Sequence, residues 1–319
     1  MDRRDFIKRS MIASAIIGGT TAGIPKKSEA AANPVVTVID LTKCDGCSGE
    51  EMPKCMKACK TKNQHRYPQP VSDIQPYWPQ KKYEDWQDKK EITSRLTPYN
   101  WIFVQKVKVD SANENIDIYL PRRCMHCDNP ACVKLCPFAA NEKTAEGPVV
   151  IDQNFCLGGA KCRDVCPWDI PQRQAGVGLY LKLAPKFAGG GVMYKCDLCI
   201  DLVREGNKPA CVSECPRGAL SYGSKEEMLL VATKRAKEIN GYIYGDKENG
   251  GTSTLYVSKV PFEEIEAALR NQEQAMLLQL GVPSSLESAE NLVKSVLLAP
   301  IIGVFAGGLM AWKTMKGGK

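Results

Sequence analysis

The sequence has only two histidines in 319 residues, and only 7% of its residues are aromatic. Two histidines argue against the mixed Cys/His ligand sets of zinc sites. Because aromatic side chains are few, other groups must fill much of the core. The sequence also lacks a Ser/His/Asp set, a paired-carboxylate site and a phosphate-binding glycine loop. The run Gly189-Gly190-Gly191 lacks the Lys-Ser/Thr that follows such a loop. No catalytic site is therefore predicted within the chain itself.

The net charge of +7 does not come from a basic surface. Residues 1–32 hold six Lys/Arg against three Asp/Glu, and Lys313, Lys316 and Lys319 end the chain. The body between these two ends is therefore almost neutral. Without a basic stripe, the sequence argues against a nucleic-acid partner.

Cysteine, in contrast, is abundant and clustered. Most groups consist of a close pair, a loop of variable length and a Cys-x3-Cys step, and Pro follows three of the four groups. The groups are Cys44, Cys47, Cys55 and Cys59; Cys124, Cys127, Cys132 and Cys136; Cys156, Cys162 and Cys166; and Cys196, Cys199, Cys211 and Cys215.

This spacing suits cubane 4Fe–4S clusters, each of which needs thiolates that converge from different directions. A Cys-x2-Cys turn wraps one side of the cube, and a third cysteine arrives from the same loop. The fourth cysteine faces away and serves a neighbouring cluster, as in bacterial ferredoxins. We expect it to begin a helix, where the missing N–H of the following Pro costs nothing.

Residues 35–225 resemble the four-cluster iron–sulfur subunit family of the DMSO reductase, nitrate reductase, formate dehydrogenase and periplasmic hydrogenase systems. The resemblance rests on the four matched groups, the stretch at residues 124–132 and the long loop between Cys199 and Cys211. Together with both chain ends, described below, it is closest to the iron–sulfur subunit of membrane-bound periplasmic NiFe hydrogenases.

The resemblance implies that group one pairs with group four, and group two with group three. Lys60, not Pro, follows Cys59, which we expect to alter only the local chain. The implied ligands are Cys44, Cys47, Cys55 and Cys215 for cluster A; Cys196, Cys199, Cys211 and Cys59 for cluster B; Cys124, Cys127, Cys132 and Cys166 for cluster C; and Cys156, Cys162 and Cys136 for cluster D.

Cluster D lacks one ligand of the family pattern, because Gly159 stands where a cysteine is expected. Glycine has no side chain to bind a fourth iron. We therefore expect three 4Fe–4S clusters and one 3Fe–4S cluster, the latter with a raised reduction potential. The alternative is a 4Fe–4S cluster with water or a distant side chain at that corner.

Two other residues near the motifs are candidates for supporting roles. His126 lies inside the loop of group two, where it either tunes cluster C or simply packs. Trp168 follows Cys166 closely and is expected to shield a cluster from water.

The N-terminus resembles a bacterial twin-arginine export signal spanning residues 1–32. Arg3 and Arg4 precede Phe-Ile-Lys, a mildly apolar stretch and a run of small residues. This route exports folded proteins, which suits clusters inserted in the reducing cytoplasm. An ordinary amphipathic helix is the alternative.

The C-terminus contains an uncharged apolar run at residues 296–312. It predicts a transmembrane helix over 292–313 and a basic tail over 314–319. The positive-inside rule places the tail in the cytoplasm and the body on the periplasmic side of the inner membrane. A buried core helix is the alternative.

The fold expected from this organisation is α+β, with two ferredoxin-like units that each bind two clusters. The first unit comprises 33–123, with an irregular insertion at 63–100, and is completed by 186–225; the second is 124–185, and a helical extension follows at 226–291. Strands are predicted at 35–39, 99–109, 147–152 and 219–222, and helices at 225–239 and 262–280.

The function implied by the resemblance is electron transfer without catalysis. The implied partners are a periplasmic catalytic subunit, of the NiFe hydrogenase or alternatively the molybdopterin type, and an integral membrane subunit that handles quinone. A zinc-stabilised scaffold is disfavoured by the odd number of cysteines and by the interleaved groups. A disulfide-rich exported protein is disfavoured by the Cys-x2-Cys spacing and by a signal for folded export.

Overall fold

The computed structural model describes residues 34–76, 84–111, 114–183, 191–273, 275–284 and 286. Its strands are β1 (Val35–Asp40), β2 (Phe103–Ser111), β3 (Glu114–Arg122), β4 (Asn141–Lys143), β5 (Val149–Ile151), β6 (Gln172–Gln174), β7 (Val192–Tyr194), β8 (Leu220–Ser224), β9 (Tyr242–Tyr244) and β10 (Thr254–Ser258). Its α-helices are α1 (Lys54–Asn63), α2 (Ala131–Lys134), α3 (Lys161–Asp164), α4 (Leu179–Leu183), α5 (Ile200–Arg204), α6 (Ala210–Ser213), α7 (Lys225–Glu238) and α8 (Phe262–Arg270).

The largest sheet joins the two ends of the cysteine-bearing region. Its order is β8-β1-β10-β9, with β1 antiparallel to β8 and parallel to β10. Val38 of β1, the strand before group one, lies opposite Ser221 of β8, the strand after group four. The sheet thereby brings groups one and four side by side, although they are far apart in the chain.

Two short antiparallel pairs frame the segment between them. β4 follows group two and pairs with β5, which precedes group three. β6 follows group three and pairs with β7, which precedes group four. These strand pairs therefore tie group two to group three, and group three to group four.

The ribbon of β2 and β3 is the longest ladder among the described residues, pairing Phe103 with Arg122 through to Ser111 with Glu114. The predicted strand at 99–109 begins later than expected, because Thr97 and Asn100 exchange backbone hydrogen bonds in a tight turn before it. The sequence did not predict β3, whose first half is polar and exposed.

Helix α7 covers one face of the main sheet. The Ser224 side chain caps its first turn by accepting a hydrogen bond from the Glu227 amide. A small apolar core forms beneath it from Val36, Val38, Met228, Ala232, Ala236, Leu255 and Val257. The larger core lies elsewhere and includes many of the cysteines, so the cysteine sites are part of the packing that holds the fold.

The C-terminal extension differs from the prediction in two ways. It is not purely helical, because β9 and the buried strand β10 join the main sheet. Helix α8 ends at Arg270 instead of continuing to residue 280. The chain reverses there, and the buried Glu266 carboxylate accepts hydrogen bonds from the amides of Leu278 and Gln279 at 2.6 and 3.2 Å.

The predicted export signal at 1–32 and the predicted transmembrane helix at 292–313 lie outside the described residues. Within the described ranges, no helix is both long enough and apolar enough to cross a bilayer. The described part of the insertion at 63–100 is irregular as predicted, with single 3-10 turns at Gln64–Arg66 and Gln87–Lys89. The described fold is a mixture of helices and small sheets, in agreement with the expected α+β class.

Candidate iron–sulfur cluster sites

Groups one and four meet at a cavity lined by residues of both groups. Burial, together with the neighbouring Cys215 and Cys47, raises the pKa of the Cys44 thiol to about 11. The sulfur of Cys215 also accepts a hydrogen bond from the Ala219 amide at 3.3 Å. The cysteines lining this cavity are Cys44, Cys47, Cys55 and Cys215, the four residues assigned by resemblance to cluster A.

A second cavity lies between the same two groups. Its sulfurs receive hydrogen bonds from the chain, since the Leu198 amide donates to Cys196 at 3.4 Å and the Asn63 amide group donates to Cys59 at 3.6 Å. The cysteines lining it are Cys59, Cys196, Cys199 and Cys211. They are the residues assigned to cluster B, with one ligand from group one.

Groups two and three exchange their last cysteines in a corresponding way. Burial, with Cys127 and Cys124 of group two nearby, raises the pKa of Cys166 from group three well above its ordinary value. Burial also raises the pKa of Cys156, which has Cys136 of group two as a neighbour. The structure thus brings Cys166 to the residues assigned to cluster C, and Cys136 to those assigned to cluster D.

The two sites formed by groups two and three lie next to each other. Burial raises the pKa of Cys162 to about 12, with charge contributions from Cys156 of its own site and from Cys132 of the adjacent one. This proximity suits a chain of centres between which electrons pass.

The loop of each group turns at its third residue, which has a left-handed backbone. The φ angles are +66° for Gly46, +51° for His126, +68° for Gly158 and +59° for Leu198. This conformation is unfavourable for residues other than glycine, so the loops retain it at His126 and Leu198 under constraint from their surroundings. The sharp turn lets a short segment wrap around one site.

The fourth cysteine does not begin a helix, contrary to the prediction. Short helices α2, α3 and α6 carry the next-to-last cysteine of their groups and end before the last one, which is Cys136, Cys166 or Cys215. The physical reason is the following Pro, because its ring disfavours helical conformation in the preceding residue. Where Lys60 replaces Pro, helix α1 continues through Cys59 to Asn63.

The donor set fits iron–sulfur clusters. All fifteen cysteines are free rather than disulfide-bonded. Within the described residues, no group of three or more His, Cys, Asp or Glu side chains is arranged to hold a single metal ion. The sets of four thiols that line each of two cavities, drawn from two groups, match the four thiolates that a 4Fe–4S cluster takes.

Gly159 lies exposed in the loop between Cys156 and helix α3. The adjacent Gly158 is closely packed, since a Cβ there would approach the Gly191 backbone to 2.6 Å. The loop is therefore held in place beside a position that contributes no side chain to the site.

His126 faces a different site from the one predicted. Its Nε2 lies 3.7 Å from the sulfur of Cys196, a residue assigned to cluster B and not to cluster C. Its Nδ1 accepts a hydrogen bond from the Val149 amide at 3.0 Å. The left-handed backbone and this bond to β5 direct the ring out of its own loop.

The sequence did not indicate Asn249, whose side-chain amide donates to the sulfur of Cys127 at 3.3 Å. It also did not single out Arg123 and Lys195, which are buried among the cysteines. Only the position of these two cations, each directly before the first cysteine of a group, could have drawn attention to them.

Trp168 is 3% exposed and lies two residues after Cys166. Its indole N–H donates to the Leu278 carbonyl at 2.7 Å and to the Tyr244 hydroxyl at 2.8 Å. The ring therefore ties the segment after α8 to the chain beside group three.

Comparison with protein-family models gives two matches, both described as a 4Fe-4S dicluster domain. One covers residues 43–140 and the other residues 116–225. Together they span all four cysteine groups.

Comparison with curated proteins finds relatives in two kinds of oxidoreductase system. Hydrogenase-2 operon protein HybA of Escherichia coli O157:H7 is 27% identical over 309 residues, which cover 83% of each chain. The formate dehydrogenase-O iron-sulfur subunit of Escherichia coli K12 is 32% identical over 232 residues, covering 70% of this chain and 66% of the relative. A protein of Nitratidesulfovibrio vulgaris is 30% identical over 273 residues, and this chain spans 65% of its length.

Proposed function

Because the chain belongs to the ferredoxin-type family of iron–sulfur electron-transfer subunits with 4Fe-4S dicluster domains, we propose that it relays electrons between two protein partners. The observation that carries this proposal is the lining of two cavities by four cysteines each, drawn from distant groups. Clusters bound there would supply the one-electron chemistry. The chain itself supplies thiolates, hydrogen bonds to sulfur and a buried environment.

The proposed complement is three 4Fe–4S clusters and one 3Fe–4S cluster, with the ligands given by the resemblance. Support for the 3Fe–4S cluster comes from the donor set, since the resemblance assigns only Cys156, Cys162 and Cys136 to it and the sequence has Gly159 where the family pattern has a fourth cysteine. A cluster with fewer irons and a different core charge would have a different potential from the other three. Cluster D would then be one end of the relay.

The proposed catalytic partner is a periplasmic hydrogenase of the NiFe type. The relative from the hydrogenase-2 operon supports this choice, because the similarity extends over most of both chains. The formate dehydrogenase subunits support the alternative, a molybdopterin oxidoreductase. The chain contributes no catalytic residue in either proposal.

The second proposed partner is an integral membrane subunit that handles quinone, positioned near cluster D. Two exposed phenylalanines support this end as a contact surface. Phe138 and Phe155 are 52% and 62% exposed, and in the sequence they lie two residues after Cys136 and directly before Cys156. Exposed large apolar side chains are candidates for protein or membrane contacts. Export by the twin-arginine pathway, through Arg3 and Arg4, and a C-terminal membrane anchor complete the proposal.

The experiment that tests this function is anaerobic purification of the full chain with its partners from membranes. Iron and sulfide should be present in the proportions of three 4Fe–4S clusters and one 3Fe–4S cluster, and the preparation should be brown. Nickel in the complex identifies a hydrogenase partner, and molybdenum identifies the alternative. A folded, colourless chain that contains zinc and no iron would overturn the proposal.

A further inference from the structure

Two cations are buried between the sites assigned to clusters B and C. Arg123 is 1% exposed and Lys195 is 6% exposed. Among the residues that the structure describes, no carboxylate lies within ion-pair distance of either one. A buried charge without a compensating partner is strongly unfavourable. Asp197 contributes to the raised pKa of Lys195 but is itself ion-paired with Arg66, so both cations require further negative charge from another source.

Arg123 precedes Cys124 of cluster C in the chain but lines the cavity of cluster B. Its guanidinium donates to the Thr37 hydroxyl and, at 3.4 Å, to the Cys124 carbonyl, while its Nε has no partner. Burial lowers the pKa of Arg123, but the nearby Cys196 and Cys211 more than offset this and leave it raised. Both cysteines are assigned to cluster B.

Lys195 has the reciprocal arrangement. It precedes Cys196 of cluster B, and its ammonium donates to the Cys196 carbonyl at 3.1 Å and to the Val149 carbonyl. The contact with Val149 places this ammonium beside the loop of group two, because the Val149 amide donates to Nδ1 of His126 in that loop at 3.0 Å. Burial lowers the pKa of Lys195, but Cys124 and Cys132 lead the opposing contributions, which also include Cys196 and Asp197, and leave it raised. Those two cysteines are assigned to cluster C. Each cation therefore lies near ligands of one cluster, although the cysteine that follows it in the sequence belongs to the other cluster.

The residues directly before the first cysteines of the sites assigned to clusters A and D are not buried cations. Lys43, before Cys44, has a side chain that is 48% exposed and lies 3.9 Å from Asp40. Phe155, before Cys156, carries no charge and is 62% exposed. The buried cations are therefore a property of the two central sites and not of the motif in general.

We propose that Arg123 and Lys195 are crossed internal counter-charges, with Arg123 raising the reduction potential of cluster B and Lys195 that of cluster C. This inference rests on the proposed function. A thiolate-ligated cluster becomes more negative when it is reduced, and a fixed cation nearby stabilises the reduced form. In a buried site with a low dielectric constant this attraction is weakly screened. The two central clusters thereby remain reducible although they are enclosed.

The test is a redox titration of the intact, anaerobically purified complex, followed by electron paramagnetic resonance. The signal of each cluster is first identified with single ligand substitutions. Lys195→Met should shift the reduction equilibrium of cluster C toward the oxidised form by about tenfold or more, which is about 59 mV for a one-electron couple. Arg123→Met should do the same for cluster B. Clusters A and D should be unchanged in both variants.

The matched controls are Lys195→Arg, which keeps the buried charge, and Lys43→Met, which removes the exposed cation of group one. Neither should shift any potential by more than a small fraction of the effect of Lys195→Met. Equal shifts in Lys195→Arg and Lys195→Met would show a packing effect and overturn the proposal. A shift in Lys195→Met confined to cluster B, or the absence of any shift, would also overturn it.

Loss of cluster loading is informative as well. If Lys195→Met and Lys195→Gln both lose iron while Lys195→Arg retains it, the charge itself is needed to hold the clusters, which upholds the proposal. If Lys195→Arg loses iron to the same extent, the role is steric and the proposal is wrong. Wild-type protein without iron or cluster signals would instead contradict the proposed function, so the two failures are distinguishable.

Discussion

The Nε2 atom of His126 lies 3.7 Å from the sulfur of Cys196, seventy positions away in the chain. Because Nδ1 accepts the Val149 amide proton, the proton of the neutral ring is on Nε2 and is directed toward the sulfur. Burial, followed by the charges of Lys195 and Arg123, lowers the pKa of His126 well below its ordinary value. A neutral histidine in one motif loop therefore contacts a candidate cluster ligand in another.

We expect His126→Leu to lower the reduction potential of cluster B without loss of iron. Removing the N–H···S hydrogen bond destabilises the more negative, reduced cluster by about 1 kcal/mol. This free energy corresponds to a few tens of millivolts in the reduction potential. Leu198 has the same left-handed backbone at the equivalent position, so leucine fits there. A redox titration monitored by paramagnetic resonance measures the shift. The control is His65→Leu at the exposed second histidine, and equal behaviour of the two variants would contradict this prediction.

Replacing Gly159 with cysteine should convert cluster D from 3Fe–4S to 4Fe–4S, because the new thiolate can bind a fourth iron. The paramagnetic signal of the oxidised three-iron cluster should disappear, and the iron content should rise. Gly159→Ala is the control, since it adds a side chain without a ligand and should leave the signal in place. An unchanged three-iron signal in the cysteine variant would refute the assignment.

Glu84→Gln should loosen the insertion from group three. Arg163 binds both Glu84 oxygens at 2.7 Å, and the Glu84 carbonyl accepts from the Ala175 amide at 2.8 Å. We expect a loss of about 1 kcal/mol of local stability, seen as faster hydrogen exchange at 84–89 and 172–175. The exposed Glu91→Gln is the control and should leave exchange there unchanged. Equal exchange in the Glu84 variant and wild type would show that the pair contributes nothing.

The same ion pair predicts a pH dependence. Burial raises the pKa of Glu84, but hydrogen bonds and charge from Arg163 lead the effects that leave it lowered overall. A lowered folded-state pKa means that the stabilisation is complete above the pKa of an unfolded glutamate and is lost as pH falls through the folded-state value. The Glu84→Gln variant should lack this acid-dependent increase in local exchange, and a persistent increase would assign it to other groups.

Removal of iron under anaerobic conditions should unfold the cysteine loops before the sheet beneath α7. The loops have their thiols at the centre of the larger core, and buried thiols do not replace a cluster that links them. Among the described residues, the small core that includes Val36, Val38 and Met228 contains no cysteine. Residues 225–238 should therefore retain more hydrogen-exchange protection than the cysteine loops. Protection that survives equally in the loops would contradict a structural role for the clusters.

Much of the local structure could be predicted from the sequence. The strands predicted next to groups one and four and the helix predicted at 225–239 agree closely with β1, β8 and α7, because apolar periodicity is a local signal. Strand β10 could not be predicted, because it forms by pairing with β1, which is far away in the chain. The early end of α8 could not be predicted either, because it depends on hydrogen bonds between Glu266 and residues that follow a reversal of the chain. The fourth-cysteine prediction failed because Pro acts on the residue before it and ends a helix there.

The sequence by itself determined the ligand chemistry of this protein, because its four groups of closely spaced cysteines set which side chains can bind clusters. It also determined that Gly159, which has no side chain to bind iron, stands where the family pattern has a cysteine. Only the tertiary structure decided what surrounds each sulfur. Sheet pairing and loop reversal bring His126 to Cys196, Asn249 to Cys127, and the two buried cations to cysteines far from their sequence neighbours. Burial then makes those contacts strong, since the same charges on an exposed surface would be screened by water and salt.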